Sequence, residues 1–408
     1  MIDHLNKGWK KIKLGAFVSL FGGAAFKSQD ATSEGIKWLK IANVGFGNVK
    51  WDVTEYLSIE FTKGYQRYLL QAPDIVVAMT RPVLSGYLKV ARLRPCDGVA
   101  LLNQRVAKVI VDDGIDSEFL LQHLFTRRLA SSLELALSGT DPPNLSASVL
   151  DDITIPLPPL PEQQKIATIL STWDRAIELT EKLIVAKQKR KQALMRQLFT
   201  GKVRLPGFEK TKWKKCHLND VAKNSTGRSG VSTDDRTVYS VTNSVGMVPM
   251  NEGVIGESLE RYKTVRKFDF AYNPMRINVG SITMWEGDEE VLVSPDYVVF
   301  RCGSKLDAQF LNHFRRTHYW RHFVNRAGGG SVRVRIYFSD LGSLKLNLPP
   351  VEEQKAIAEV LNAQDSEIEL LSRRLDALKR QKKGLMQQLL TGKVRVNVDT
   401  KAIKAAVT

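Results

Sequence analysis

One long segment occurs twice in this chain, and that repeat constrains the fold more than any other feature. Residues 158–204 and 349–395 align without a gap at an offset of 191, with 22 identities in 47 positions. The period is far too long for a solenoid. It requires two copies of one large module, each a globular part followed by a helical part. Short anchors repeat outside the helical part as well. Trp9-Lys10-Lys11-Ile12-Lys13-Leu14 opens the first copy and Trp213-Lys214-Lys215-Cys216-His217-Leu218 the second. Asp116-x-x-Phe119-Leu120 matches Asp307-x-x-Phe310-Leu311. Between these anchors the copies diverge almost completely, so the frame is shared and the centres differ.

Each helical segment is punctuated at both ends. Pro158-Pro159 and Pro349-Pro350 enforce an extended lead-in. Pro161 suits a first helical turn, and Glu162 and Glu353 place negative charge there. Gly201 and Gly392 fall where a left-handed C-terminal cap is needed. About 39 residues at 1.5 Å rise make a rod of roughly 58 Å. An apolar stripe with alternating steps of four and three runs along each rod. It carries Ile166, Leu170, Trp173, Ile177, Ile184, Leu194 and Leu198 in the first copy, with Thr180, Lys187 and Lys191 at the remaining steps. In the second it carries Ile357, Leu361, Ile368, Leu371, Leu375, Leu378, Leu385 and Leu389, with Gln364 and Lys382 at the remaining steps. A period of 3.5 is that of a two-helix coiled coil, so the rods are expected to pair with each other. The competing arrangement has each rod covering only its own globular domain.

Antiparallel pairing would place the globular parts at opposite ends of a rigid spacer, as a pseudo-twofold dumbbell. Those parts read as α/β, or mixed α+β, domains. Asp74–Ala78, Val106–Val111 and Tyr297–Phe300 are β-rich runs, while Phe119–Leu137 and Phe310–Asn325 read as helices. The expected organisation is domain one at 1–157, a helical spacer at 158–204, domain two at 205–348, a second spacer at 349–395 and a tail at 396–408.

The net charge is +17, which points to a polyanionic partner. By segment it is +2 in domain one, +6 in the first spacer, +6 in domain two and +3 beyond residue 348. The densest run is Lys187, Lys189, Arg190 and Lys191, which is either a binding surface or a solvated helix face. In domain two, Arg326, Arg333 and Arg335 flank a glycine-rich stretch suited to a loop that enters a nucleic-acid groove. A further recurrence places Arg81 seven residues after Asp74 and Arg276 seven after Asp269, each arginine following a β-like run. Arg81, Arg276, Arg326, Arg333 and Arg335 are therefore the DNA-contact candidates.

Catalytic motifs fail on inspection. A base-methylating Asn/Asp-Pro-Pro-aromatic motif is approached by Asp141-Pro142-Pro143, but Asn144 follows and cannot stack on a flipped base. There is no phosphate-binding Gly-rich lysine motif for ATP. Glu353-Gln-Lys355 lies at a helix start without a partnered strand aspartate. His313, His318 and His322 lack further ligands at metal spacing. Three scattered cysteines make neither a disulfide framework nor a zinc site and suit a reducing cytoplasm. No apolar run approaches the ~18 residues of a membrane span.

The doubled segments, LPPLPEQQKIATIL…LMRQLFTGKVR and LPPVEEQKAIAEVL…LMQQLLTGKVR, resemble the conserved regions of the specificity subunit of type I restriction–modification systems. The resemblance spans essentially the whole chain. It implies a non-catalytic subunit with two target-recognition domains, each reading one half of a split double-stranded DNA target. It also implies assembly with two methylating subunits and two restriction subunits. S-adenosylmethionine, ATP and Mg are then expected on those partners, with no cofactor and no metal in this chain. Two other readings are a single-chain DNA-modifying enzyme with unrecognised motifs and a coiled-coil adaptor that binds no DNA.

Overall fold

A computed structural model describes residues 8–139, 141–243, 245–327 and 335–398. The chain forms two compact units. One holds the chain through Glu181 and again from Arg374 on; the other holds Lys182–Arg373. Both long helices, Leu160–Leu198 and Val351–Leu389, therefore contribute one half to each unit.

In the first unit the chain enters and leaves the globular domain through one antiparallel strand pair, Lys10–Lys13 with Thr154–Leu157. A five-stranded sheet follows in the order Val18–Gly22, Val106–Val111, Ile75–Ala78, Val90–Arg92, Phe46–Asn48. A second has the order Ala31–Thr32, Glu55–Leu57, Ile36–Leu39, Ala100–Leu102, Leu69–Leu70. The central strand Ile75–Ala78 is buried at every position, which accounts for its unbroken apolar run, three of its four residues β-branched. The second unit repeats the entry pair with Lys214–His217 and Lys345–Leu348. Its sheets are four-stranded, one centred on Val298–Cys302 and Phe270–Tyr272 and the other on Val238–Thr242 and Val291–Val293. Phe270 and Phe300 stack at 5.0 Å in the core of the former. The mixed α+β expectation holds.

Each of the two expected domain helices is instead a pair. Ser117–Leu124 precedes Arg127–Ala136, and Ala308–Phe314 precedes His318–Ala327. The break comes from a threonine hidden in an apparently continuous pattern. Thr126 Oγ1 accepts from Leu129 N (3.3 Å), and Thr317 Oγ1 accepts from Trp320 N (3.3 Å), so each caps a new helix. The repeated Asp-x-x-Phe-Leu anchor is also a cap. Asp116 accepts from Phe119 N and Asp307 from Phe310 N, both at 2.8 Å.

The long helices run as the punctuation predicts, each 39 residues long. Gly201 (φ 68°) and Gly392 (φ 74°) are left-handed just past their ends. Within each unit the halves pair antiparallel. In the first, Asp174 meets Lys382 (2.6 Å) and Glu181 meets Lys379 (2.7 Å). In the second, Lys187 meets Glu367 (2.5 Å) and Lys191 meets Asp365. As one number rises, its partner's falls. Ile166, Leu170, Leu198, Ile357, Leu361 and Leu389 are buried, and Trp173, Ile177, Ile184, Leu194, Ile368, Leu371, Leu375, Leu378 and Leu385 are half-buried. The helix ends also join the domain cores. Ile166, Leu170 and Leu389 pack with Trp9 and Phe119, while Leu198, Ile357 and Leu361 pack into the core around Phe310. Pairing and domain cover thus coexist. The dense cationic run splits for the same reason: Lys187 and Lys191 turn into the seam, while Lys189 and Arg190 stay exposed.

Glu162 and Glu353 do more than complement a helix dipole. Both are buried, at 1% and 0% exposure. Glu162 accepts from Arg395 Nε (3.1 Å) and Nη2 (2.6 Å) and from Trp9 Nε1 (3.1 Å). Glu353 accepts from Arg204 Nε and Nη2, both at 2.7 Å, and from Trp213 Nε1 (3.3 Å). Next to each glutamate a buried glutamine closes the joint. Gln163 Oε1 accepts from Asp116 N, and Gln354 Oε1 from Asp307 N, both at 2.9 Å. Glu353→Ala leaves the half-buried Arg204 guanidinium without its counter-charge and Trp213 Nε1 without its acceptor, at a cost of about 1–3 kcal/mol because water still reaches the cation. The expected result is a clear fall in the urea midpoint of unfolding. Glu353→Gln, which keeps part of the hydrogen bonding, should fall between the two.

His313 sits buried beside this helix pair, its Nε2 2.8 Å from Asn362 Oδ1. Burial first, then Lys191 and Arg316, push its imidazole down to about 4, against the Asn362 hydrogen bond and Asp365. Unfolded, the ring protonates near ~6.5. Its contribution to stability is therefore full above that value and is lost as pH falls toward about 4. Gln122, 191 residues earlier, occupies the equivalent place and donates to Asp174 (2.9 Å). His313→Gln should therefore lose less stability than the parent between about pH 7 and about pH 5. His123, pushed down to about 3 mainly by burial, keeps a residual slope in both proteins. Urea midpoints at the two pH values measure the difference.

Candidate nucleic-acid interface

The two Asp-to-Arg recurrences occupy equivalent places. Asp74 pairs with Lys108 (2.8 Å) and accepts from Gln71 N (3.0 Å), fixing the turn before strand Ile75–Ala78. Asp269 does the same before strand Phe270–Tyr272, holding Arg301 through two bonds (2.6 and 2.9 Å) and accepting from Arg266 N (3.0 Å). Past each strand, the backbone just before the arginine is tied to a late segment of the domain. Leu145 N donates to Met79 O (2.7 Å), and Ile336 N donates to Pro274 O (3.0 Å). The aspartates are thus structural, and the arginines emerge at matched strand ends.

Arg81 is exposed and sits in the left-handed region (φ 46°), its N–H held by Pro143 O (2.8 Å). A non-glycine residue rarely adopts this conformation. The chain then makes a tight hairpin, Val83–Leu84 with Tyr87–Leu88. Ser85 (φ 54°) and Gly86 (φ 75°) form its two-residue turn, the positive-φ pair that matches strand twist. Arg81, Lys89, Arg105, Pro142 and Pro143 line a cleft of about 880 Å³ beside it. Lys89 Nζ donates to Ile41 O (2.9 Å), and its pKa is lowered by burial and by Lys50. Lys89 and Arg105 escape sequence reading because they come from separate strand ends and form no run.

In domain two, Arg276 is exposed and opens a one-turn loop, Ile277–Val279, closed by Gly280 (φ 95°). Arg335 is exposed one residue before Ile336, with Nη1 3.5 Å from Tyr337 Oη. The Ile336–Pro274 bond therefore brings the segments of Arg276 and Arg335 together. Arg326 is exposed at the end of helix His318–Ala327, and Arg333 lies outside the described residues. A cleft of about 680 Å³ beside the Arg276 loop is lined by Asn243, Asn278, Val279, Arg315, Arg316 and Arg321. No sequence pattern singles these three arginines out. Arg315 is anchored to Ile282 O and Asn312 Oδ1, both at 2.9 Å, and burial pushes it down to about 10.

Among the described residues no three His, Cys, Asp or Glu side chains converge as metal ligands would, and no helix is long and apolar enough to cross a membrane. Among the described residues that line the two clefts there is no His and no Cys. Each domain presents guanidinium groups on irregular backbone at a strand end, a geometry that suits groove and phosphate contacts.

Comparison with known proteins agrees. The model of the type I restriction modification DNA specificity domain matches residues 6–186 and again 210–380. The specificity subunit of the type I restriction enzyme MjaVIII of Methanocaldococcus jannaschii is 36% identical over 205 residues, covering 50% of this chain and 48% of that protein. The match thus spans about half the length of that relative. The MjaIX specificity subunit of the same organism is 22% identical over 402 residues, covering 88% of this chain and 89% of the relative. The crystal structure of a type I restriction–modification S subunit from M. genitalium superposes with a TM-score of 0.61 at 15% identity, covering 95% of this chain and 98% of that one. With two copies of the family domain, matched frames and matched strand-end arginines, the chain belongs to the type I restriction–modification DNA specificity family.

Proposed function

We propose that this chain is the non-catalytic specificity subunit of a type I restriction–modification complex, and that each globular domain reads one half of a split duplex DNA target. One observation carries the reading most directly. Two domains with almost unrelated centres place an exposed arginine at the same strand end, Arg81 in one and Arg276 in the other. A shared frame with different readers is what a target of two unlike halves requires. The paired helices set the unspecified spacer and dock two methylating subunits, and through them two restriction subunits. In this scheme the chain holds no cofactor of its own. S-adenosylmethionine, ATP and Mg act on the partners, and the assembly works in the cytoplasm, where the DNA is.

Replacing residues 1–157 with the corresponding domain of a relative, in cells that also express the partner subunits, should change one half of the methylated motif. Methylome sequencing reads both halves directly. A change in both halves would defeat the one-domain, one-half reading.

Arg276→Ala separates two kinds of contact. A base contact should cost about 1–3 kcal/mol and relax one position of the second half-site. A phosphate contact should weaken binding to all sequences alike and reduce the salt slope by about one. Binding isotherms at several salt concentrations tell them apart, and unchanged affinity removes Arg276 from the interface.

A further inference from the structure

Scattered exposed apolar side chains are ordinary on any protein. Two of them here are not scattered. Leu84 lies three residues after Arg81, and Val279 three residues after Arg276. Both are 56% exposed, and a left-handed glycine follows each, Gly86 and Gly280. The two loops differ, one a hairpin and the other a helical turn, yet each holds its apolar tip beside the matched arginine.

The backbone around the tips is anchored. Leu88, in the hairpin strand that pairs with Leu84's, is buried, and so is Ile277, two residues before Val279. In the first domain Phe46 and Tyr87 extend the apolar surface, with their rings 6.2 Å apart, and Arg127 lies 4.8 Å over the Tyr87 ring. Met275 extends it in the second, at 51% exposure. The surroundings are cationic. Arg81, Lys89 and Arg105 line the cleft that Leu84 borders, against one carboxylate, Glu134; Arg315, Arg321 and Arg316, the last also paired with Asp365, line the cleft that Val279 borders, against Glu286. An apolar tip beside a cleft with an excess of cations fits a duplex, whose phosphates meet the cations while the tip meets the bases.

We propose that Leu84 and Val279 are apolar wedges, each pressing into a base step of its own half-site beside the arginine three residues earlier. The proposal rests on the reading of the two domains as DNA readers and adds residues and a mode of contact to it.

The test uses the full chain assembled with its methylating subunits and a duplex carrying the motif found by methylome sequencing. 2-Aminopurine, which brightens when unstacked, is placed in turn at adenine positions other than the methylated base. Leu84→Ser should abolish the brightening in the first half-site only, and Val279→Ser in the second only. Each should weaken binding on the order of tenfold. Leu84→Phe and Val279→Leu should retain the signal. Unchanged urea midpoints confirm that the serine variants fold. Serine variants with parental brightening and affinity overturn the wedge. So do serine variants that no longer co-purify with the methylating subunits, because the tips are then protein contacts. A parental complex that methylates no split motif instead refutes the underlying reading, and the wedge with it.

Discussion

Each unit is closed by one buried carboxylate. Glu162 and Glu353 stand in the first turn of a long helix, and the arginine that neutralises each comes from just past the end of the other long helix. The tryptophan that opens each domain donates to the same carboxylate. In the first unit three distant parts of the chain, Trp9, Glu162 and Arg395, thus meet at one charge; in the second, Glu353 meets Arg204 and Trp213 from a single earlier segment. A carboxylate taken wholly out of water is costly, and only a bidentate guanidinium with further donors offsets that cost. The joint is therefore intolerant of substitution, and the strand pairs, helix caps and domain cores are hung from it. It also gives chain order a consequence. The first domain is completed by the last helix half, so neither unit closes until the second long helix has been made.

Charge placed inside the helix seam adds register. An apolar stripe alone would accept a slip of one heptad. Lys191 and Lys382, at 7% and 8% exposure, interrupt it at equivalent positions, each meeting an aspartate, Asp365 or Asp174. A slip would leave an ammonium buried without its partner. As in coiled coils with one polar core position, the pair selects one alignment at some expense of stability.

Much of this architecture is legible in the amino-acid sequence because it is local or periodic. The prolines, the left-handed glycines and the 3.5-residue stripe mark the long helices by backbone rules that hold wherever the segment lies. The repeated Asp-to-Arg spacing marks matched strand ends, because both residues sit at fixed distances from one short strand. What escapes depends on contacts far apart in the chain. Glu162 reads as an ordinary first-turn acid until Arg395, 233 residues on, is seen to bury it. Thr126 and Thr317 read as tolerated mid-helix residues until their hydroxyls are seen capping new helices. Lys89 and Arg105 join Arg81 only because three strand ends converge. Lys187 and Lys191 fall both on the 3.5-residue stripe and in the cationic run, and it takes the acidic partners on the antiparallel helix, Glu367 and Asp365, to show why lysines stand in a seam.

The division between repeated frame and divergent centre follows from where each residue's free energy lies. Glu353, Gln354, Asp365 and Lys382 each satisfy a buried or half-buried partner, so a change at one demands a matched change elsewhere. The two copies of the module have kept all four types at an offset of 191. Strand-end loops answer to water. A hairpin tip at Leu84 and a helical turn at Val279 leave the strands behind them equally well paired, since the cores close on Leu88 and Ile277 instead. Loops of different shape can then be exchanged at little energetic cost while the arginine positions beneath them stay fixed. A module of this kind can change what it reads without changing how it assembles.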